Sequence, residues 1–203
     1  DFPKYQLLSQ FILKINASMP ILALGAIYDI KTVGYFALAN TIVSLPMKLI
    51  ANSVLQVYYS KIANFKKSDS KLLLQSTIDF LRVFSKIIIL PVILIAVFSE
   101  YLFAILFGST WKTSGEMVQL LIFLTTTRFL SMPIISVLNV LKMQKLQLKI
   151  NFIRLVMLVA IFFLSFLLSF EALKTIAIYS FSMFFFYTIV IIKIIFVLRE
   201  LNE

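Results

Sequence analysis

Long apolar stretches separated by short polar segments dominate the sequence. A transmembrane helix needs about 20 mostly apolar residues to cross the hydrocarbon core of a bilayer. Stretches of this length predict an all-α membrane protein in which residues 1–203 form a single bundle of about six transmembrane helices. The expected spans are Leu7–Tyr28, Val33–Tyr58, Ile87–Phe107, Met117–Leu141, Ile150–Phe170 and Thr175–Leu198.

The connection between the second and third spans, residues 60–86, is predicted to be a cytoplasmic loop with an amphipathic helix. From Lys71 onward polar residues recur every three or four positions, and apolar residues fill the other face. This helix either lies in the membrane interface or extends the third span into the cytoplasm. The third span is itself interrupted by Ser99-Glu100-Tyr101, so the residues after Glu100 alternatively form a short interfacial helix.

Lysine and arginine residues concentrate at one end of the predicted bundle. The positive-inside rule therefore places both chain termini in the cytoplasm. The cytoplasmic end is expected to carry Lys4, Lys61, Lys66, Lys67, Lys71, Arg82, Lys86, Lys142, Lys145, Lys149 and Arg199. The opposite end carries only Lys31, Lys112 and Lys174.

The composition excludes several classes of protein. Hydrophobic residues make up 61% of the chain, charged residues 14%, and the mean hydropathy is +1.01, which indicates a surface that faces lipid. The net charge of +10 does not indicate nucleic-acid binding, because the basic residues lie in loops between apolar spans. Cys and His are absent, so no disulfide, thiol chemistry, Cys/His metal site or cofactor is expected. The chain begins Asp1-Phe2-Pro3 without an initiator Met, and we interpret it as part of a longer protein.

Three cations are predicted to lie deep within the spans. Lys14, Lys48 and Arg128 each have apolar-dominated sequence on both sides, and no carboxylate is expected at matching depth. A cation near the bilayer centre costs about 2.5 kcal/mol or more, so such residues normally face a bundle interior or a watery cavity. The three residues therefore predict a cavity that receives an anionic group. Arg154 and Lys193 lie closer to the cytoplasmic end and are expected to reach the interface without a functional role.

Neutral polar residues follow the deep cations along three spans. On the first, second and fourth spans they recur at helical spacing, which predicts that these helices line an aqueous interior while the fifth and sixth pack outside them. The alternative is that each residue only bonds to a neighbouring helix, which contributes about 0.6 kcal/mol. The candidate binding or gating residues are Gln10, Asn40, Ser44, Asn52, Gln56 and Asn139.

Four segments resemble a known family. They are F-P-K-Y-Q-L-L-S-Q (2–10), S-L-P-M-K-L-I-A-N-S-V-L-Q-V-Y-Y (44–59), L-F-G-S-T-W-K-T-S-G-E (106–116) and R-F-L-S-M-P-I-I-S-V-L-N-V-L-K-M-Q-K (128–145). In this order and at these depths they resemble the carboxy-terminal half of bacterial oligosaccharide flippases. These flippases form the polysaccharide biosynthesis branch of the multidrug/oligosaccharidyl-lipid/polysaccharide exporter superfamily. The family motif commonly has a neutral residue where Lys48 stands.

The resemblance implies a transporter and no enzymatic activity. Such proteins have two six-helix bundles and move polyprenyl-diphosphate-linked oligosaccharides to the outer leaflet of the bacterial inner membrane by alternating access, for surface polysaccharides such as the O-antigen of lipopolysaccharide. Lys14, Lys48 and Arg128 would then contact the diphosphate. The neutral candidates would bind sugar hydroxyls or act in gating. Expected partners are the lipid-linked oligosaccharide, membrane lipids, the first six-helix bundle and other polysaccharide-assembly proteins, with no nucleic acid.

Two other transport or enzyme classes remain open from the sequence, besides a purely structural membrane subunit whose polar stripes contact a partner protein. A multidrug or ion exporter of the same superfamily would share the architecture, although a pocket that binds cations for export would be expected to contain acidic and aromatic residues. A membrane-embedded glycosyltransferase or polymerase would need a carboxylate pair or a metal site near the membrane face. The acidic residues of this chain are few and scattered, which disfavours both alternatives.

Overall fold

The structure is a computed structural model that describes residues 2–63 and 70–201, with side chains except at 2–6, 70 and most of 46–63. The described chain is helical apart from short connections, and it confirms the predicted all-α membrane fold. Five of its helices are long and apolar enough to cross a membrane, and Ile30–Leu45 is a shorter apolar segment in the described part of a sixth. The helices are α1 (Phe2–Ile27), α2 (Ile30–Ala63), α3 (Ser70–Phe107), α4 (Lys112–Val140), α5 (Gln144–Leu167) and α6 (Ala172–Glu200), with one 3₁₀ turn at Ser109–Trp111.

Helix α3 differs most from the expected spans. It runs without a break for 38 residues, so the amphipathic segment and the third span are one helix of about 57 Å. The expected interruption at Ser99-Glu100-Tyr101 does not occur, because residues of α4 pair with the side chains of Ser99 and Glu100. The Ser99 hydroxyl donates to the Gly115 carbonyl at 3.0 Å, and the Glu100 carboxylate pairs with Lys112 at 2.9 Å.

Helix α4 is the centre of the bundle. It packs against α2, α3 and α6, and its buried side chains extend along most of its length. Helix α1 packs mainly along α5 instead. The bundle thus consists of an α1–α5 pair set beside a larger group around α4, and the junction between these two parts contains the main cavity.

The outer surface of the bundle is apolar at membrane depth. Large side chains on α3, α5 and α6 remain more than half exposed, which in water would be unfavourable and in lipid is the expected arrangement. Examples are Leu90 and Ile93 on α3, Phe163 and Phe166 on α5, and Phe185 and Ile189 on α6.

Side-chain hydrogen bonds fix the loops at the end of the bundle opposite the termini. The Tyr28 hydroxyl donates to the Phe170 carbonyl at 2.8 Å and also contacts the Thr175 hydroxyl. Asp29 caps α2, because its carboxylate accepts a bond from the Thr32 amide at 2.9 Å. The hydrogen bonds from Thr32 lower the pKa of the Asp29 carboxyl below its usual value. The carboxylate therefore stays ionised, and the cap stays intact, at pH values above this lowered pKa.

Candidate functional site

A cavity of about 410 Å³ lies at the junction between the α1–α5 pair and the α4–α6 pair. Leu13 and Ala17 on α1, Ile150 on α5 and Phe186 on α6 form part of its apolar wall. Met132, Ile135 and Tyr187 also line the cavity, and charged and amide side chains lie among these apolar and aromatic groups. The polar residues of the lining are Lys14, Arg128, Ser131, Ser136, Asn139, Gln147, Asn151 and Arg154.

Three cations from three helices line this cavity. Lys14 comes from α1, Arg128 from α4 and Arg154 from α5. Measured along their helices, they lie about 18, 18 and 15 Å from the end of the bundle that holds the termini, so they form one layer. The ion pairs among the described residues are Arg82–Asp79 and Lys112–Glu100, and neither involves these three cations. Within the part of the chain that the structure describes, the cavity therefore presents positive charge without a carboxylate to neutralise it.

Arg154 is the most confined of the three. The residue is only 5% exposed, its guanidinium carbon lies 5.4 Å from the centre of the Tyr187 ring, and its Nε has no hydrogen-bond partner among the described residues. The expectation that Arg154 reaches the membrane interface is wrong. The reason is packing: α1 and α6 cover this part of α5 and direct the side chain inward. A cation over an aromatic ring is stabilised by about 0.5–2 kcal/mol, which offsets only part of its lost hydration.

The polar face of α5 was detectable in the sequence. Gln147, Asn151 and Arg154 are spaced four and three residues apart, which places them on one side of a helix. The apolar residues around them conceal this short stripe when hydropathy alone is considered. The expectation that α5 and α6 only pack outside the polar helices is therefore wrong for the halves of these helices near the termini.

Buried amides hold α1 against α5 next to the cations. The Asn16 side chain donates to the Asn151 carbonyl at 2.9 Å, and the Asn151 side chain donates to the Ser9 hydroxyl at 2.8 Å. These bonds lie on either side of Lys14 along α1. They fix the rotation of α1 that brings Lys14 to the cavity, while the buried Asn16 Oδ1 has no partner in the described part of the chain.

Hydroxyl groups on α4 donate hydrogen bonds to backbone carbonyls of the same helix. Thr125 donates to the Leu121 carbonyl at 2.9 Å, and Ser131 donates to the Arg128 carbonyl at 2.8 Å. Ser136 likewise donates to the Pro133 carbonyl. Their donors are used within α4, which supports the purely structural alternative for these residues. Asn139 differs, because its exposed side chain lines the cavity and bonds to no described residue.

The other predicted site residues do not converge on this cavity. Gln10, Asn40 and Gln56 are exposed, Ser44 is half-buried, and none of them lines it. The side chains of Lys48 and Asn52 lie outside the described residues. No described residue of α2 lines the cavity, whereas residues of α1 and α4 do.

Acidic clusters offer no second candidate site in the described chain. No group of three or more Asp and Glu side chains lies close enough together there to hold a metal ion. Glu100 lies near the carboxy-terminal end of α3 and pairs with Lys112. It is distant from the layer formed by Lys14, Arg128 and Arg154.

Comparison with known proteins identifies the family. A family model described as "Polysaccharide biosynthesis protein" matches residues 1–116, more than half of the chain. The match includes Lys14 and the whole of α1 to α3, and it ends before Arg128 and Arg154. No curated protein and no solved structure matches the chain. The chain belongs to the polysaccharide biosynthesis protein family.

Proposed function

We propose that this protein translocates a lipid-linked oligosaccharide with a diphosphate linkage across the bacterial cytoplasmic membrane by alternating access. The observation that carries the proposal is the layer of Lys14, Arg128 and Arg154 around one cavity, without a carboxylate among the described residues to pair with them. Membership of a polysaccharide biosynthesis family supports this class of substrate. The distribution of Lys and Arg supports a topology in which both termini lie in the cytoplasm.

Electrostatics explains how such a cavity lowers the barrier to translocation. A diphosphate loses its hydration when it enters the membrane, and the energetic cost of that loss is the main obstacle to its passage. Fixed cations replace the lost hydration with charge-assisted hydrogen bonds, each contributing about 1.5–3 kcal/mol. Asn139 and Gln147 add neutral groups on the same wall for sugar hydroxyls. The lipid tail stays in the bilayer, and no covalent bond changes.

The exposed polar residues of α1 and α2 fit a second six-helix bundle across the cavity. Gln10, Lys14 and Ser18 follow one side of α1 and are all exposed. In lipid this surface would be costly, whereas a facing bundle or a water-filled passage between bundles would accommodate it. Lys48, Asn52 and Gln56 of α2 are proposed to face the same passage.

Charge removal at the cavity tests the proposal. Purified protein is reconstituted into liposomes with a fluorescent polyprenyl-diphosphate saccharide, and translocation is followed by the access of an external reagent to the sugar. We expect Lys14→Gln, Arg128→Gln and Arg154→Gln each to slow translocation about tenfold or more, because each removes one charge-assisted contact. Lys142→Gln, an exposed lysine outside the cavity, is the control. Wild-type rates in all three cavity variants would overturn the proposal.

Charge reversal separates a lipid-diphosphate carrier from a cation exporter. Lys14→Glu and Arg128→Glu introduce carboxylates into the cavity, where they repel a diphosphate and attract a cation. We expect both variants to abolish translocation of the lipid-linked saccharide. Retained or increased transport of an organic cation by these variants, with no effect on the saccharide, would favour the multidrug exporter.

A further inference from the structure

A second concavity lies on the outside of the bundle between α5 and α6. This groove has a volume of about 470 Å³ and is separate in position from the cation cavity, although Ile150 and Phe186 line both. Its wall is almost wholly apolar, with Ser182 as the one neutral polar member and two lysines, Lys149 and Lys193. Its apolar lining includes Leu146, Ile153, Met157, Phe185, Ile189 and Val190.

The two lysines lie at the same end of the groove. Lys149 is near the start of α5 and Lys193 is near the end of α6, both at the end of the bundle that holds the termini. From Lys193 the groove follows α6 to Ser182, a rise of about 16 Å. One leaflet of the hydrocarbon core is about 15 Å thick, so the groove is about as long as one leaflet is thick, with its positive charge at the end nearer the termini.

Lys149 and Lys193 are available to bind an anion from the membrane or the solvent. Both are exposed, and neither takes part in an ion pair among the described residues. Helix α5 has no acidic residue, and the only one on α6 is Glu200, at its end, about two turns beyond Lys193. A molecule that complements this groove has an anionic head and an apolar chain about one leaflet long.

We propose that the groove is a binding site for an anionic phospholipid of the bilayer. The phosphate lies between Lys149 and Lys193, and one acyl chain follows Met157, Phe185 and Ile189 toward the middle of the membrane. Basic pockets between transmembrane helices recognise anionic headgroups by this combination of charge and apolar wall. The site lies on the lipid-facing surface and does not depend on the proposed transport substrate.

Fluorescence quenching by brominated lipids tests the site directly. Trp111 is the only tryptophan, so Trp111→Phe provides a background for single-tryptophan probes. Ile189→Trp places the probe in the groove, and Ile192→Trp places it on the same helix outside the groove; the two isoleucines are 62% and 61% exposed. Each protein is reconstituted in phosphatidylcholine and titrated with acyl-brominated phosphatidylglycerol or acyl-brominated phosphatidylcholine.

We expect Ile189→Trp to report preferential binding of phosphatidylglycerol, by about fivefold for one lysine and up to about thirtyfold for both. Ile192→Trp should report no preference. Lys149→Gln with Lys193→Gln should remove the preference, whereas Lys86→Gln with Lys142→Gln, a charge-matched control, should leave it unchanged.

Several outcomes would overturn the site. They are equal quenching by the two lipids at Ile189→Trp, an equal preference at Ile192→Trp, or a preference that survives loss of both groove lysines. Displacement of the brominated lipid by a neutral polyprenol would assign the groove to an isoprenoid tail and overturn the proposal as well. No saccharide is present in these measurements, so their result is independent of the translocation assay.

Discussion

At the scale of single residues, we propose that Arg154 contributes to binding at the expense of stability. Its guanidinium is almost fully buried, faces the Tyr187 ring and leaves Nε without a partner. A buried charge without a carboxylate is destabilising, and such groups are retained at binding and catalytic sites. The depth of Lys14 and Arg128 was predictable because apolar sequence surrounds both. The burial of Arg154 was not, since it depends on coverage by helices distant in sequence.

Replacing Arg154 by methionine should separate stability from function. Arg154→Met keeps much of the side-chain volume and removes the buried charge, so thermal stability in detergent should stay the same or rise. Translocation of the lipid-linked saccharide should fall about tenfold or more. Arg154→Lys should retain part of the activity, because it preserves the charge. A melting temperature that drops sharply in Arg154→Met, with activity lost in parallel, would indicate that Arg154 is structural.

The amide network between α1 and α5 makes a second prediction. Asn151→Ala removes the bond to the Ser9 hydroxyl and leaves Ser9 buried without that partner. Interhelical bonds of this kind in membranes contribute about 0.6 kcal/mol and at most about 1.7 kcal/mol. We expect a loss in this range in reversible unfolding. Asn139→Ala, at an exposed position without such a bond, should change stability by less than about 0.5 kcal/mol. Equal effects of the two substitutions would contradict the assigned role of Asn151.

At the scale of helices, close contact between α3 and α4 determines the shape of one end of the bundle. A Cβ atom on Gly115 would lie 2.5 Å from the Glu100 Cα and 2.7 Å from the Ser99 carbonyl oxygen. The helices approach this closely because Gly115 has no side chain, and the Ser99 hydroxyl and the Glu100–Lys112 pair then bond across the contact. Small residues at interfaces commonly allow such close packing in membranes.

Alanine substitutions at Gly115 and Gly34 are predicted to have opposite effects on stability. Gly115→Ala must push α3 and α4 apart, and overpacking of this kind costs about 1–3 kcal/mol. Gly34→Ala lies in helix α2 with no atom within 4 Å of the new Cβ, so it should be neutral or stabilise by up to about 1 kcal/mol. Thermal denaturation of the two variants in the same detergent compares them. A stable Gly115→Ala protein would contradict the close contact.

The helices were more predictable than their ends and partners. Hydropathy identified five spans that the structure shows as long apolar helices, because a single segment satisfies its own backbone groups within lipid only as a helix. It could not predict that α3 continues through Ser99 and Glu100, because the groups that satisfy them belong to Gly115 and Lys112 on α4. Nor could it predict that α5 shares the cavity, since helix rotation is set by contacts such as those of Asn16 with Asn151.

At the scale of the whole molecule, the bundle has two kinds of surface. Large apolar side chains are exposed on α3, α5 and α6, whereas α1 exposes apolar side chains such as Leu7 and Leu22 together with the polar residues Gln10, Lys14 and Ser18. The cation cavity lies between the α1–α5 pair and the group around α4, where a change in their separation would alter access to it. This arrangement is consistent with the alternating access that we propose for the protein.

Water access to the cation cavity is the most direct test of this account. The chain has no cysteine, so single-cysteine variants need no further substitution. Ala17→Cys lies in the cavity wall, whereas Ile93→Cys lies on the apolar face of α3 and is the control; both positions are exposed. We expect a charged, membrane-impermeant thiosulfonate to label Ala17→Cys rapidly, and the polyprenyl-diphosphate saccharide to protect it, while Ile93→Cys reacts only with a lipid-soluble maleimide. Equal resistance of both cysteines to the charged reagent would contradict a water-filled cation cavity.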